Sequence, residues 1–140
     1  MSLKRPYKKD HSSKNLSAGN QARLFLKTLF PLLQDGFIEL RLIGRNLPTQ
    51  TKFFPNISSL LKELPFDPGY NAYFGTCPRW QKKGTADSVR KVVCLWCDVD
   101  AKNFPGKKDE ARRRIRDFPI SPTIVVGSGN GYHCYWALKE

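Results

Sequence analysis

The chain has 140 residues, a hydrophobic fraction of 40%, and 24 Lys and Arg against 12 Asp and Glu, a formal charge of +12. Folding at this length buries roughly two-thirds of the unfolded chain's surface, enough for one core without staples, which excludes fibrous and wholly disordered classes. The longest apolar runs, such as residues 92–97, fall far short of the ~18 residues that cross a bilayer, and no apolar segment follows the Lys-rich start as a secretory signal requires, so a reducing cytoplasm is expected.

Residues 1–15, rich in Lys, Ser and Asn, read as a flexible basic arm, and residues 16–140 as a single domain. Ala22, Phe25, Leu26, Leu29 and Leu33 fall at helical spacing, with Ser17 or Asn20 as a cap and Pro31 as the kink or stop. After the Asp35-Gly36 turn, residues 37–44 predict a strand with Glu39 and Arg41 on one face and Ile38, Leu40 and Leu42 on the other. A short helix over residues 58–64 ends at Pro65. Residues 70–79 predict a second strand, followed by a Lys/Gly-rich loop, and residues 91–100 a third. Past Pro105-Gly106 comes a helix over residues 109–118, with Ala111, Ile115 and Phe118 in one stripe and Arg112, Arg113, Arg114 and Arg116 elsewhere. A hairpin closes the chain, residues 122–127 pairing with 132–138. The alternation gives an α/β (α+β) fold, a mixed, largely antiparallel sheet with flanking helices.

The four cysteines lie in apolar, strand-like stretches rather than in a loop framework, so they read as core residues. Cys94-Leu-Trp-Cys97 has the spacing of a zinc knuckle, but residues three apart on a strand point to opposite faces and cannot share a metal without a sharp turn. The charge excess favours a polyanionic partner, the alternative being a solvated surface with a basic tail. Nucleic acid or nucleotide fits better than an anionic membrane, because no long amphipathic basic helix is present.

Trp96-Cys-Asp98-Val-Asp100 ends an otherwise apolar strand. Alternation puts Asp98 and Asp100 on one face with backbones ~7 Å apart, a separation from which two carboxylates converge on divalent ions. Mg2+ or Mn2+, shared with substrate phosphates, suits that donor set; the alternative is a strand end whose carboxylates are solvated or paired with Lys102 and Lys108. Asn130-Gly131 is a strong hairpin signal and predicts a type I′ loop that sets Ser128 directly across from His133. That pair is either a phosphate-binding hydroxyl and imidazole or a surface turn beside a half-buried histidine. Arg41 and Arg79 are fork-shaped candidates for triphosphate oxygens or surface ion-pair partners. The basic helix carrying Arg112, Arg113 and Arg116 either tracks a nucleic-acid backbone or is a solvated face.

Taken in order, Leu95-Trp-Cys-Asp98-Val-Asp100 and Pro122-Thr-Ile-Val-Val-Gly-Ser128-Gly-Asn-Gly-Tyr-His133-Cys-Tyr-Trp136 resemble the first and second motifs of the primase-polymerase group of the archaeo-eukaryotic primase superfamily. Asn71-Ala-Tyr-Phe-Gly-Thr-Cys-Pro-Arg79 resembles the strand those proteins place before the acidic motif, so the similarity covers roughly residues 20–138. The resemblance implies an RRM-like catalytic core and a metal-dependent nucleotidyltransferase that makes or extends primers from nucleoside triphosphates on a DNA template. The resemblance further implies an origin in a phage, plasmid, other mobile element or defence-associated system, with a helicase or other replication domain as a downstream partner. Asp98 and Asp100 would hold the catalytic Mg2+ or Mn2+, and Ser128 and His133 would contact the incoming nucleotide with help from Arg79. Family members carry a third acidic residue on a later strand. This chain ends at Glu140 just after the second motif, and the expectation is the front part of a catalytic domain. The rival readings are a non-catalytic nucleic-acid-binding module of the same fold and a metal-dependent nuclease.

Overall fold

The computed structural model describes residues 17–31, 33 and 35–138. The expected basic arm and Glu140 lie outside them. Helix α1 (Ala18–Leu29) begins where the Ser17 hydroxyl accepts the Asn20 N–H and ends two residues before Pro31, which cannot continue it. Its apolar stripe, Leu26 and Leu29, is buried.

Strands β1 (Ile38–Gly44), β2 (Gln50–Phe54) and β3 (Tyr70–Phe74) form one antiparallel sheet in the order β2-β1-β3, and the short helix α2 (Ile57–Leu61) follows β2. Strands β4 (Cys94–Asp100), β5 (Ile124–Gly127) and β6 (Gly131–Ala137) form a second, in the order β4-β6-β5, with helix α3 (Lys107–Asp117) between β4 and β5 in sequence. The α+β class holds and every strand pair is antiparallel, but the strands divide between two small sheets rather than one.

One core joins the sheets. Leu26, Leu29 and Phe30 pack with Ile38, Leu40 and Leu42 of β1, Phe54, Leu60, Cys94 and Tyr135. The Phe25 ring sits edge-on to both Phe74 and Tyr135, at 5.0 and 5.2 Å, tying α1 to one strand of each sheet. Among the described residues no helix is long and apolar enough to cross a membrane.

The other face of β1 is where expectation and structure part. Glu39 and Arg41 do share it, but Glu39 is only 2% exposed, because the segment from Gly75 to Arg90 folds over it. Arg41 Nε donates to Glu39 Oε1 at 2.6 Å and Arg79 Nε to Oε2 at 2.9 Å. The same arginines donate onward to the Gly84 and Thr85 carbonyls. Ser88, fully buried, closes the loop by donating to Lys83 and Thr85 carbonyls.

The β5–β6 hairpin is displaced by one residue from the expected loop. Ser128 N–H donates to the Gly131 carbonyl, so the two loop residues are Gly129 and Asn130. Only Gly129 has positive φ, at 87°, which is the type II′ pattern rather than type I′. The cause lies in β4: Gly131 pairs with Asp100, and a Cβ there would run into the Val99 carbonyl oxygen and the Ala101 amide. Gly131 is therefore held in the strand, where only hydrogen fits. Gly131→Ala should lower stability by about 1–3 kcal/mol through this overpacking, read as a fall in the denaturant midpoint; an unchanged midpoint would show that the strands separate freely at this end.

Candidate functional site

Strand β6 lies between β4 and β5, and its residues from Tyr132 to Tyr135 have a partner on both sides. His133 pairs with Asp98 of β4 and Val126 of β5. Leu138 N–H donates to the Val93 carbonyl and Ala101 N–H to the Asn130 carbonyl, which makes the intervening Asp98–His133 step a non-hydrogen-bonded pair of the ladder. Such pairs bring their side chains closest. His133 Nε2 lies 3.7 Å from Asp98 Oδ1, with the side chains 41% and 57% exposed. The distance is within ion-pair reach and beyond hydrogen-bond range, so both groups remain free to engage a third.

Asp100, two residues on, shares the face of Asp98 as alternation requires. Its Oδ1 accepts the Lys102 backbone N–H at 3.1 Å, capping the turn Ala101–Asn103, and its Oδ2 pairs with the Lys102 ammonium at 2.8 Å. The Lys102 ammonium, ahead of the backbone hydrogen bond, holds the Asp100 carboxyl below the usual carboxylate range, and the lysine is raised in return. Asp100 is therefore an anion at neutral pH, already countered by one cation.

Beyond Asp100 the end of the sheet opens into a cleft of about 930 Å3 bounded by the segment from Asp100 to Asp109 and by Gly129 and Asn130. Lys102, Lys107 and Lys108 line it against Asp100 and Asp109. Helix α3 starts at its edge, with Gly106 at the N-cap and no side chain capping the first turn; the Lys107 N–H donates to the Phe104 carbonyl, and Asp109 and Glu110 offset part of the positive end. Lys107 adopts φ +50, uncommon outside glycine. Lys102 and Lys108, expected only as counter-ions, line a cleft that no local periodicity indicates. The signal available was the basic run directly after the acidic pair.

Not every expected residue joins this site. Ser128 pairs with Gly131 rather than facing His133; it is a diagonal neighbour, because the loop sits one residue earlier than expected. Arg79 and Arg41 are engaged by Glu39 and do not line the cleft. Arg112, Arg113 and Arg116 are exposed on α3. Arg113 and Arg114 pair with Glu110, and Arg116 with Asp117. Helix α3 is followed by Phe118, which packs edge-on against Trp136, and Trp136 points away from the face that carries Asp98 and His133. The helix arginines thus belong to the opposite side of the sheet.

The strand cysteines divide by position in the sheet: Cys97 and Cys134 are paired on one face, but only Cys134, on the middle strand, is buried. Cys94 is buried, and burial pushes its thiol up to about 11; Cys134 is buried and raised for the same reason. Both are neutral thiols at physiological pH and poor nucleophiles. Cys97, expected in the core, is exposed on the other face of β4, since that edge strand has no cover there. All four are free thiols.

For a divalent ion the donor set is two carboxylates on one strand face with an imidazole beside them. Among the described residues no group of three or more His, Cys, Asp or Glu is placed to share one ion. Two carboxylates suffice where water and substrate phosphates complete the shell, as is usual for Mg2+, so the residues present fit a substrate-completed ion and not a closed protein cage. No family model matches the chain, and no curated protein or solved structure matches it either.

Proposed function

We propose that the chain is the nucleotidyl-transfer module of a primase-polymerase, joining nucleotides to a primer on a DNA template. The observation that carries the reading is the opposition of Asp98 and His133 on neighbouring strands, with Asp100 on the same face at the mouth of a lysine-lined cleft. It accords with the resemblance of the two motifs, and the net charge of +12 suits a polyanionic substrate. Asp98 and Asp100 would hold Mg2+ or Mn2+, which when bound neutralises triphosphate charge and activates the primer 3′-hydroxyl. Lys102, Lys107, Lys108 and the first-turn amides of α3 receive the phosphates. His133 donates a hydrogen bond to a phosphate oxygen, and Ser128 contributes its hydroxyl from the adjoining loop. The 3′-hydroxyl gives its proton to water as its oxygen bonds to the α-phosphorus, the bond to pyrophosphate breaks, and the fixed cations stabilise the departing charge. Arg79 and Arg41 reach nucleotide in this reading only by leaving Glu39, so their first role is to hold the loop. Arg112, Arg113 and Arg116 suit the backbone of template outside the active face. A cytoplasmic setting and a replication partner such as a helicase belong to the same proposal.

A non-catalytic nucleic-acid-binding module is the second reading, favoured by the pairing of Asp100 with Lys102. Incubating the chain with template, labelled nucleotides and Mn2+ separates them. New or extended oligonucleotides support transfer, binding without products supports the module, and template shortening without nucleotides supports a nuclease. If transfer occurs, His133→Ala should raise the nucleotide KM more than it lowers kcat, because the imidazole grips phosphate in the ground state as well as the transition state. An unchanged KM and kcat would remove the imidazole from the site.

A further inference from the structure

Trp96 lies two residues before Asp98 on β4, on the same face, about 7 Å along the strand from it. Across the ladder it faces Tyr135, which is buried beneath Phe25, while Trp96 itself is 59% exposed at the sheet's edge. The other tryptophans are anchored. Trp80 donates its indole N–H to the Asp87 carbonyl at 2.9 Å, and Trp136 donates to the Ile120 carbonyl at 2.8 Å while packing on Phe118. Among the described residues the Trp96 indole has neither a hydrogen-bond partner nor a ring partner. A large flat ring left in water beside an acidic pair and a cationic cleft has the form of a stacking platform, and its charged surroundings select the ligand.

Resting on the nucleotidyl-transfer reading, we propose that Trp96 stacks a nucleobase whose sugar and phosphate lie along β4 toward Asp98, His133 and the lysine cleft. The base has two possible sources, a single-stranded oligonucleotide or the nucleoside triphosphate. Stacking engages a π-face that every base has, so Trp96 grips without reading sequence. The strand direction sets the polarity of the bound group, base at Trp96 and phosphates toward Asp98 and His133.

The test is a titration of the 140-residue chain, without divalent ion, with a short fluorescein-labelled oligothymidylate and separately with a nucleoside triphosphate. Tryptophan emission is followed together with its protection from acrylamide. The parent should show quenching and protection, and the ligand that produces them identifies the source of the base. Trp96→Ala should lose both and bind that ligand about five- to a hundredfold more weakly. Trp96→Phe should lose the emission change but recover most of the affinity. Far-UV circular dichroism and Tm should match the parent in both variants, since the side chain is exposed. Parental affinity in Trp96→Ala, with template-directed synthesis intact, would overturn the stacking role alone. A parent that binds neither ligand would overturn the stacking role and the nucleotidyl-transfer reading together.

Discussion

Asp98→Asn should abolish incorporation of labelled nucleotide, a loss of at least about a hundredfold if the charge stabilises the transition state, while oligonucleotide affinity and Tm stay at parental values. Asparagine keeps the shape and one acceptor oxygen but not the negative charge, so the comparison isolates charge. The side chain is more than half exposed and its nearest partner, His133 Nε2, is 3.7 Å away. Exposed substitutions of this kind usually change stability by no more than about 0.5 kcal/mol, and Tm therefore serves as the control. Equal incorporation by variant and parent would remove Asp98 from the metal role. A combined fall in Tm and activity would mean that the carboxylate supports the fold instead.

Glu39→Ala should be the most damaging single change to stability, at about 3–5 kcal/mol, because it leaves the Arg79 guanidinium buried without its counter-ion. Arg79 is 14% exposed and bonds Glu39 through both Nε and Nη2. Arg41, nearly half exposed, can turn to solvent and should account for less of the loss. Glu39→Gln retains an acceptor for one arginine and should fall between parent and alanine. Urea midpoints measure the loss, and hydrogen exchange of the amides from Trp80 to Arg90 locates it. A midpoint shift no larger than that of a surface substitution would show that the loop is held by its own hydrogen bonds, such as Ser88 to Lys83 and Trp80 to Asp87.

Periodicity carried the long elements. The stripe of Leu26 and Leu29, the β-formers from Cys94 to Asp100 and the hairpin strands all lie where local pattern and burial agree. Strand β2 carries no local signal because Gln50-Thr-Lys shows no alternation: its first two residues are exposed, and it owes its extended form to pairing with β1. Glu39 was legible as facing Arg41 but not as buried, since its cover comes from a segment forty residues away in sequence. The loop shift has the same origin. Local preference favoured Asn130-Gly131, and contact with a strand thirty residues earlier decided otherwise. At the site, Asp98 and Asp100 could be placed on one face from two-residue spacing alone. The opposition of Asp98 and His133 needed the β4–β6 register, and the lysine cleft needed the path of residues 101–108, neither of which any local pattern encodes.

Because β6 is the middle strand, the face on which its imidazole stands is fixed from two directions at once. Turning it to the other side would require breaking two ladders together, one with seven paired positions and one with four. The face that ring takes is therefore settled during folding rather than at encounter, and a ligand arriving from solvent meets it already on the side of Asp98.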